Sequence, residues 1–179
     1  AELARSTNTN ERYIREWLNC QAAGGYVTFD KATAKYSLSE EQELCLANPA
    51  GPVDLPGATL LVQDLFHVRK RALENFRTGK GMEWGEHDPC LFCGTERFFR
   101  AGYSAHLLSS WIPALDGIEA KLSEGGKVAD VGCGHGASTI LLAKAFPKSE
   151  FVGFDYHGPS IETATQRAKH AGAANARFQ

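Results

Sequence analysis

The sequence has little that would tie it to a polyanion, a membrane or an oxidising compartment. Its 19 Lys and Arg stand against 21 Asp and Glu, a net charge of −2, so no general attraction to nucleic acid or to an anionic bilayer is expected. No apolar run approaches the roughly 20 residues of a membrane span. The five cysteines, Cys20, Cys45, Cys90, Cys93 and Cys133, are an odd number without the spacing of a disulfide framework, which points to a reducing compartment and hence the cytoplasm. No methionine opens the chain, and AELARST reads as the inside of a helix and turn. What remains is an ordinary globular composition, 43 % hydrophobic and 22 % charged over 179 residues, enough for one or two domains.

Against that background one stretch stands out. Residues 127–136, KVADVGCGHG, read as a buried strand (Val128, Ala129, Val131) that runs into Gly132, Gly134 and Gly136, spaced for a tight turn and close approach of a ligand. A helix is expected from about Ala137, carrying Ile140, Leu141, Leu142 and Ala145 until Pro147 stops it. A second strand, 151–154, then ends on Asp155. The result is a βαβ unit with a glycine turn at one strand tip and a carboxylate at the next, where open α/β sheets bind nucleotide-like ligands. Gly132, Gly134 and Ala137 also fit the dinucleotide pattern G-x-G-x-x-G/A. Asp130 bears on that choice, because a carboxylate at the mouth of the site repels a pyrophosphate and attracts a cationic amino-acid end; read alone, it is equally a helix-capping group.

The run Asp130-x-Gly132-x-Gly134-x-Gly136, with Asp155 ending the next strand, resembles motif I and the following acidic position of the class I S-adenosylmethionine-dependent methyltransferases. The resemblance implies an α/β, Rossmann-like domain of which the first half is present, with S-adenosyl-L-methionine as cofactor. It implies that Gly132, Cys133, Gly134 and Gly136 face the cofactor, that Asp155 holds its ribose hydroxyls, and that Asp130 helps to order its amino-acid end. Tyr156 and His157 follow at a point where an adenine could stack.

The first 38 residues have the pattern of a winged helix-turn-helix without its first helix. Leu3 and Ala4 end a short helix, and Asn8 with Glu11 suggests a capping box for the next. That helix places Tyr13, Ile14, Trp17 and Leu18 on one stripe and stops at Gly24-Gly25. Residues 26–29 and 35–38 alternate as a β-hairpin, the wing. Five basic and five acidic residues lie within positions 1–40, with Glu11 and Glu16 on the helix that would enter a groove. A neutral module with acid on its reading helix is poorly equipped for DNA. The order resembles that of small-molecule methyltransferases that dimerise through a winged helix, which implies a homodimer.

Residues 41–56 read as a linker, with turn signals at Asn48-Pro49, Gly51-Pro52 and Pro56-Gly57. A long helix is expected from 58 to about 76 on the period of Leu60, Leu61, Leu65, Val68, Leu73 and Phe76. Residues 81–103, GMEWGEHDPCLFCGTERFFRAGY, resemble the segment that covers the cofactor pocket in a bacterial branch of these methyltransferases. That nominates Trp84, Glu86, His87, Arg97, Arg100 and Tyr103 for the pocket, with Tyr103 on the cofactor and His87 or Glu86 as general base for a hydroxyl or amine acceptor. Cys90 and Cys93, three and six residues after His87, also have short metal-ligand spacing, but a fourth ligand is not suitably placed and no metal is expected. A further helix is expected over 105–122, bent at Pro113.

Residues 176–179 read as the start of a third strand after a helix at 159–171. Only the first half of a doubly wound sheet is then present, and the chain is expected to be part of a longer polypeptide, with the acceptor side built from segments beyond it. Three regions are expected: a winged helix at 1–45, a helical connector and cover at 46–122, and the first half of the methyltransferase domain at 123–179. The function expected is methyl transfer to a small-molecule acceptor; the alternative is a transcriptional regulator that senses S-adenosylmethionine.

Overall fold

The computed structural model describes residues 1–48 and 51–179, so the Pro49 turn signal lies outside the described residues. The chain divides into two units, Ala1–Asn48 and Pro49–Gln179.

In the first unit, α1 (Glu2–Ser6) leads into α2 (Glu11–Ala23). The cap of α2 is Asn10, whose side chain accepts from Arg12 N–H, rather than the Asn8–Glu11 box read from the sequence. Asn8 instead takes φ 51°, a left-handed turn that asparagine tolerates. The wing is a two-stranded antiparallel hairpin, β1 (Thr28–Asp30) with β2 (Lys35–Ser37). Asp30 closes its turn by accepting from Ala32 N–H and Thr33 Oγ1. The stretch taken for a linker then forms α3 (Glu40–Leu46). Ser39 and Gln42 make a reciprocal capping box, and Gln42 Nε2 also donates to Gly25 O at 2.7 Å. Among the described residues of this unit only Ala4 is buried, while Tyr13 and Trp17 are exposed.

The second unit opens with α4 (Leu55–Thr78), capped by Asp54 and ended by Gly79 in the left-handed conformation. A 3-10 turn (Trp84–Glu86) precedes α5 (Pro89–His106), which Asp88 caps and Pro89 opens. Residues 81–103 are therefore mostly helix rather than a covering loop, because cap and N1 proline start a helix that the density of aromatic and charged residues masks. The helix expected over 105–122 is likewise divided. A π-turn (Leu107–Trp111) ends α5, residues 112–117 turn, and α6 (Ile118–Glu124) follows Gly117. Pro113 lacks the N–H that would continue the ladder.

Two helices can cross closely only where side chains are small, and α4 meets α5 at Gly57 and Gly94. A Cβ on Gly94 would come within 2.8 Å of Gly57 O and of Leu60 Cβ. Asp54 locks this crossing: it accepts from Gly57 N–H at 2.9 Å and takes both Arg97 Nε and Nη2 at 2.9 and 3.0 Å. Burial works against the Asp54 charge, but the paired Arg97 donors and the Gly57 N–H outweigh it and hold the carboxyl below its usual range.

The sheet is parallel in the order β3 (Lys127–Val131), β4 (Glu150–Phe154), β5 (Ala176–Phe178). The intervening helices are α7 (Ala137–Ala145) and α8 (Gly158–Ala171). Phe151, Ala143 and Ala168 are buried with Leu107, Ile112 and Leu122 in one cluster. Asn175 Nδ2 lies 2.8–3.2 Å from the carbonyls of Ala143, Phe146 and Ser149, satisfying the end of α7 where Pro147 removes a donor. The strand read as buried is less so than its composition suggests. Among the described residues β3 pairs only with β4, and Val131 is 84 % exposed. No helix of the described residues is long and apolar enough to cross a membrane.

Candidate functional site

The glycine turn leaves β3 with Gly132 and Cys133 N–H both donating to Phe154 O, at 2.7 and 3.0 Å. Gly132 and Gly134 adopt φ 80° and 52°, and a Cβ built on either meets nothing within 4 Å. These two positions pair a left-handed backbone with open space, so the absent side chains leave room for a ligand. Gly136 differs: at φ 75° its Cβ would fall 2.7 Å from the Phe178 ring, so that glycine serves packing behind the turn.

Asp155 fixes the turn from the neighbouring strand tip. Its Oδ2 accepts from Gly134 N–H and its Oδ1 from His157 N–H, both at 2.9 Å. Asp130 reaches the first turn of α7, where its Oδ2 accepts from Ser138 Oγ at 2.9 Å and Thr139 Oγ1 at 2.5 Å. Two carboxylates from adjacent strand tips thus tie down the turn from both ends; Asp130 Oδ2 is filled by its two hydroxyls, while Asp130 Oδ1 and both Asp155 oxygens retain lone-pair capacity for a further donor.

A cleft of about 140 Å³ lies over the turn. Asp130, Gly132, Cys133, Gly134, His135 and Ser138 form its floor, and Trp84, Phe92, Glu96, Phe99 and Tyr103 its opposite wall. Burial first, and then the Asp130 charge, raises the Tyr103 phenol, so the phenol keeps its proton. The Cys133 thiol is pushed up to about 11 by burial and by Asp130 and Asp155, and is no nucleophile near neutrality. Burial and the Arg167 guanidinium lower the His135 imidazole; its Nδ1 is buried without a partner. Glu96 sits beside Arg167 at 2.7 Å and Arg100 at 3.0 Å. The Arg100 contact is misaligned for a hydrogen bond, so charge alone holds that pair.

The structure gathers some expected residues and separates others. Asp130, Gly132, Cys133, Gly134 and Tyr103 meet at the cleft; Asp155 acts just behind it through Gly134. Tyr156 is 76 % exposed and does not line the cleft, whereas His157 stacks on Phe92 with centroids 4.5 Å apart. His87 and Glu86 do not line the cleft. His87 Nδ1–H donates to the fully buried Asp64 at 2.6 Å, and Glu86 pairs with Arg71 and accepts from Glu83 N–H. The Glu83 N–H, and then Arg71, outweigh burial and hold the Glu86 carboxyl below its usual range, the reverse of what a base near neutrality needs. Arg97 is spent on Asp54 and Arg100 on Glu96.

Sequence reasoning passed over Phe92, Thr95, Glu96 and Phe99, all on the cleft wall. Their spacing of three, four and seven residues is one helical face, leading on to Tyr103, and would have revealed them.

Residues 1–48 match the family described as Rv2258c-like winged HTH domain, and residues 122–179 match the methyltransferase domain family. A tRNA (guanine-N(7)-)-methyltransferase of Cutibacterium acnes is 38 % identical over 66 residues, 37 % of this chain and 22 % of that protein. Two solved structures are similar along 99 % of this chain. One is NcsB1, an O-methyltransferase from neocarzinostatin biosynthesis, in complex with S-adenosyl-L-homocysteine and 1,4-dihydroxy-2-naphthoic acid (TM-score 0.58, 20 % identity, 56 % of that chain covered). The other is PigF with S-adenosylhomocysteine (TM-score 0.64, 16 % identity, 54 % covered). The chain thus spans about a fifth of that curated relative and about half of the solved chains, and at these identities the likeness to solved structures is one of fold.

Proposed function

We propose that this chain, a winged helix-turn-helix unit followed by a class I methyltransferase fold, belongs to an S-adenosylmethionine-dependent methyltransferase acting on a small-molecule acceptor. The observation that carries the reading is the pair Gly132 and Gly134, with left-handed backbones and open space where side chains would stand, beneath carboxylates from two adjacent strand tips. That arrangement suits a cationic sulfur nucleoside, and in this reading Asp155 takes the ribose hydroxyls, Asp130 the ammonium and His157 the adenine. Gly136 and Cys133 shape the turn, and Tyr103 with the α5 aromatics closes over it. When bound, the cofactor supplies an activated methyl group, so the protein's part is alignment and exclusion of water. Neither His87 nor Glu86 has the position for a base at this cleft, and deprotonation of an acceptor is not assigned to them.

We read residues 46–122 as connector and cover, and the unit before them as a dimerisation module. In the first unit the exposed Tyr13 and Trp17 of α2 give a second copy apolar surface to cover. All five cysteines are free thiols, in keeping with the cytoplasm. Incubation with S-adenosylmethionine and a panel of hydroxylated and amino small molecules tests the reading: acceptor-dependent release of S-adenosylhomocysteine supports it. Binding without turnover on any acceptor, together with a strongly salt-dependent DNA affinity, would replace it with a regulator.

A further inference from the structure

We propose that His67, Asp88 and Cys90 form a binding site for a borderline-soft divalent cation such as Zn²⁺, at the seam between α4 and the first turn of α5. One ligand atom from each, imidazole nitrogen, carboxylate oxygen and thiol sulfur, lies within 4.8 Å of the others, with His67 Nδ1 3.9 Å from Asp88 Oδ2. Zinc takes this donor set at about 2.0–2.3 Å per bond. Donors sharing one tetrahedral ion are then about 3.5 Å apart, so each side chain has to move by an ångström or less.

The surroundings hold the donors ready. Asp88 Oδ1 accepts from Cys90 N–H at 3.0 Å, and the other oxygen, Oδ2, is the one nearer His67. The Asp88 backbone N–H donates at 2.9 Å to Asp64, which is fully buried on α4. The seam itself is locked at Gly57 and Gly94. The sequence spacing of His87 with Cys90 and Cys93 lacked a fourth ligand and no metal was expected from it; the fold brings another histidine, His67, to Cys90 instead. His87 Nδ1 is committed to Asp64, and Cys93, one turn along α5, is exposed and outside the group.

The Asp88 carboxyl lies within the group, and the buried Asp64 carboxyl stands behind it, accepting from the Asp88 N–H; acidic surroundings of this kind favour a cation. On binding, Cys90 loses its proton to solvent and its sulfur takes the metal, without change of oxidation state. Three protein donors leave a fourth position for water, the open arrangement of an exchangeable site rather than the closed one of a structural zinc. The ion joins α4 to the start of α5, the helix that supplies the cleft wall. The inference stands apart from the cofactor reading, since none of the three residues lines the cleft.

Titration of the protein with Co²⁺, followed by near-ultraviolet thiolate-to-cobalt absorption, tests the site. The expected result is a band saturating at one equivalent, displaced by Zn²⁺, absent in C90S and retained in C93S and C133S. In H67A the affinity falls by about tenfold or more, as loss of a group at a metal site typically gives. His67 is half-exposed on its helix, and thermal melting of H67A establishes that the fold survives. No band in the wild type, a band that persists in C90S or disappears in C93S, or an unchanged affinity in H67A overturns the proposal.

Discussion

Two pairs of glycines in the second unit serve opposite purposes. Gly57 and Gly94 stand where two helices meet, and a methyl group at Gly94 would collide with backbone and with Leu60 at 2.8 Å. Gly132 and Gly134 stand in a turn where a methyl group would touch nothing. At the helix crossing the missing side chain is replaced by protein, so the glycines serve the fold; over the turn the space is open.

The largest effect should come from filling the packed pair. Gly94→Val is expected to destabilise the second unit by about 3 kcal/mol, the upper part of the range for overpacking against backbone that cannot give way. Urea unfolding measures it, and a loss below about 1 kcal/mol would mean that the crossing is looser than the geometry states. Next comes the open pair's own brace. Asp155→Ala removes the acceptor of the Gly134 and His157 N–H groups as well as the expected ribose partner. It should weaken binding of the sulfur nucleoside by about 2 kcal/mol, measured by calorimetry, and an unchanged affinity would remove Asp155 from the site.

The smallest effect is a pH dependence confined to the packed pair. Asp54 braces Gly57 and Arg97, and its folded-state pKa lies below the ordinary 3.8. The stability it contributes is complete above the unfolded-state value and is lost as pH falls through the depressed folded-state value. Asp54→Asn should therefore flatten the acid limb of the stability curve below about pH 4 and leave it unaltered near neutrality apart from a constant offset.

How much of this could be read in advance follows from how local each signal is. The strand–glycine-turn–helix–strand unit and Asp130 with Asp155 were legible because strand, turn, helix start and acidic tip all lie within about thirty consecutive residues. Helix α3 was hidden by the turn signals after it, although Ser39 and Gln42 already spelled its capping box. In α5 the chemistry of individual residues drew attention from their period, so the helical face that carries Phe92, Thr95 and Glu96 to the cleft went unrecognised. His87 was placed in the pocket by the resemblance of residues 81–103 to a covering segment and by its residue type. Its true partner, Asp64, is 23 positions away, and neither spacing nor composition reports a contact across two helices. Separation in sequence likewise concealed Asp54 with Arg97, 43 positions apart, and His67 with Asp88.

The central claim is that the space over Gly132 and Gly134 belongs to a sulfur nucleoside. The most direct test is calorimetric titration of the wild type and of Gly132→Ala with S-adenosylhomocysteine. The account predicts one site in the wild type and at least a tenfold weaker one in the variant, a loss of about 1.4 kcal/mol or more. The variant should still melt cooperatively, since an alanine in the left-handed region costs only about 1–2 kcal/mol. A wild type that takes up no nucleoside, or a variant that binds it equally well, would contradict the account.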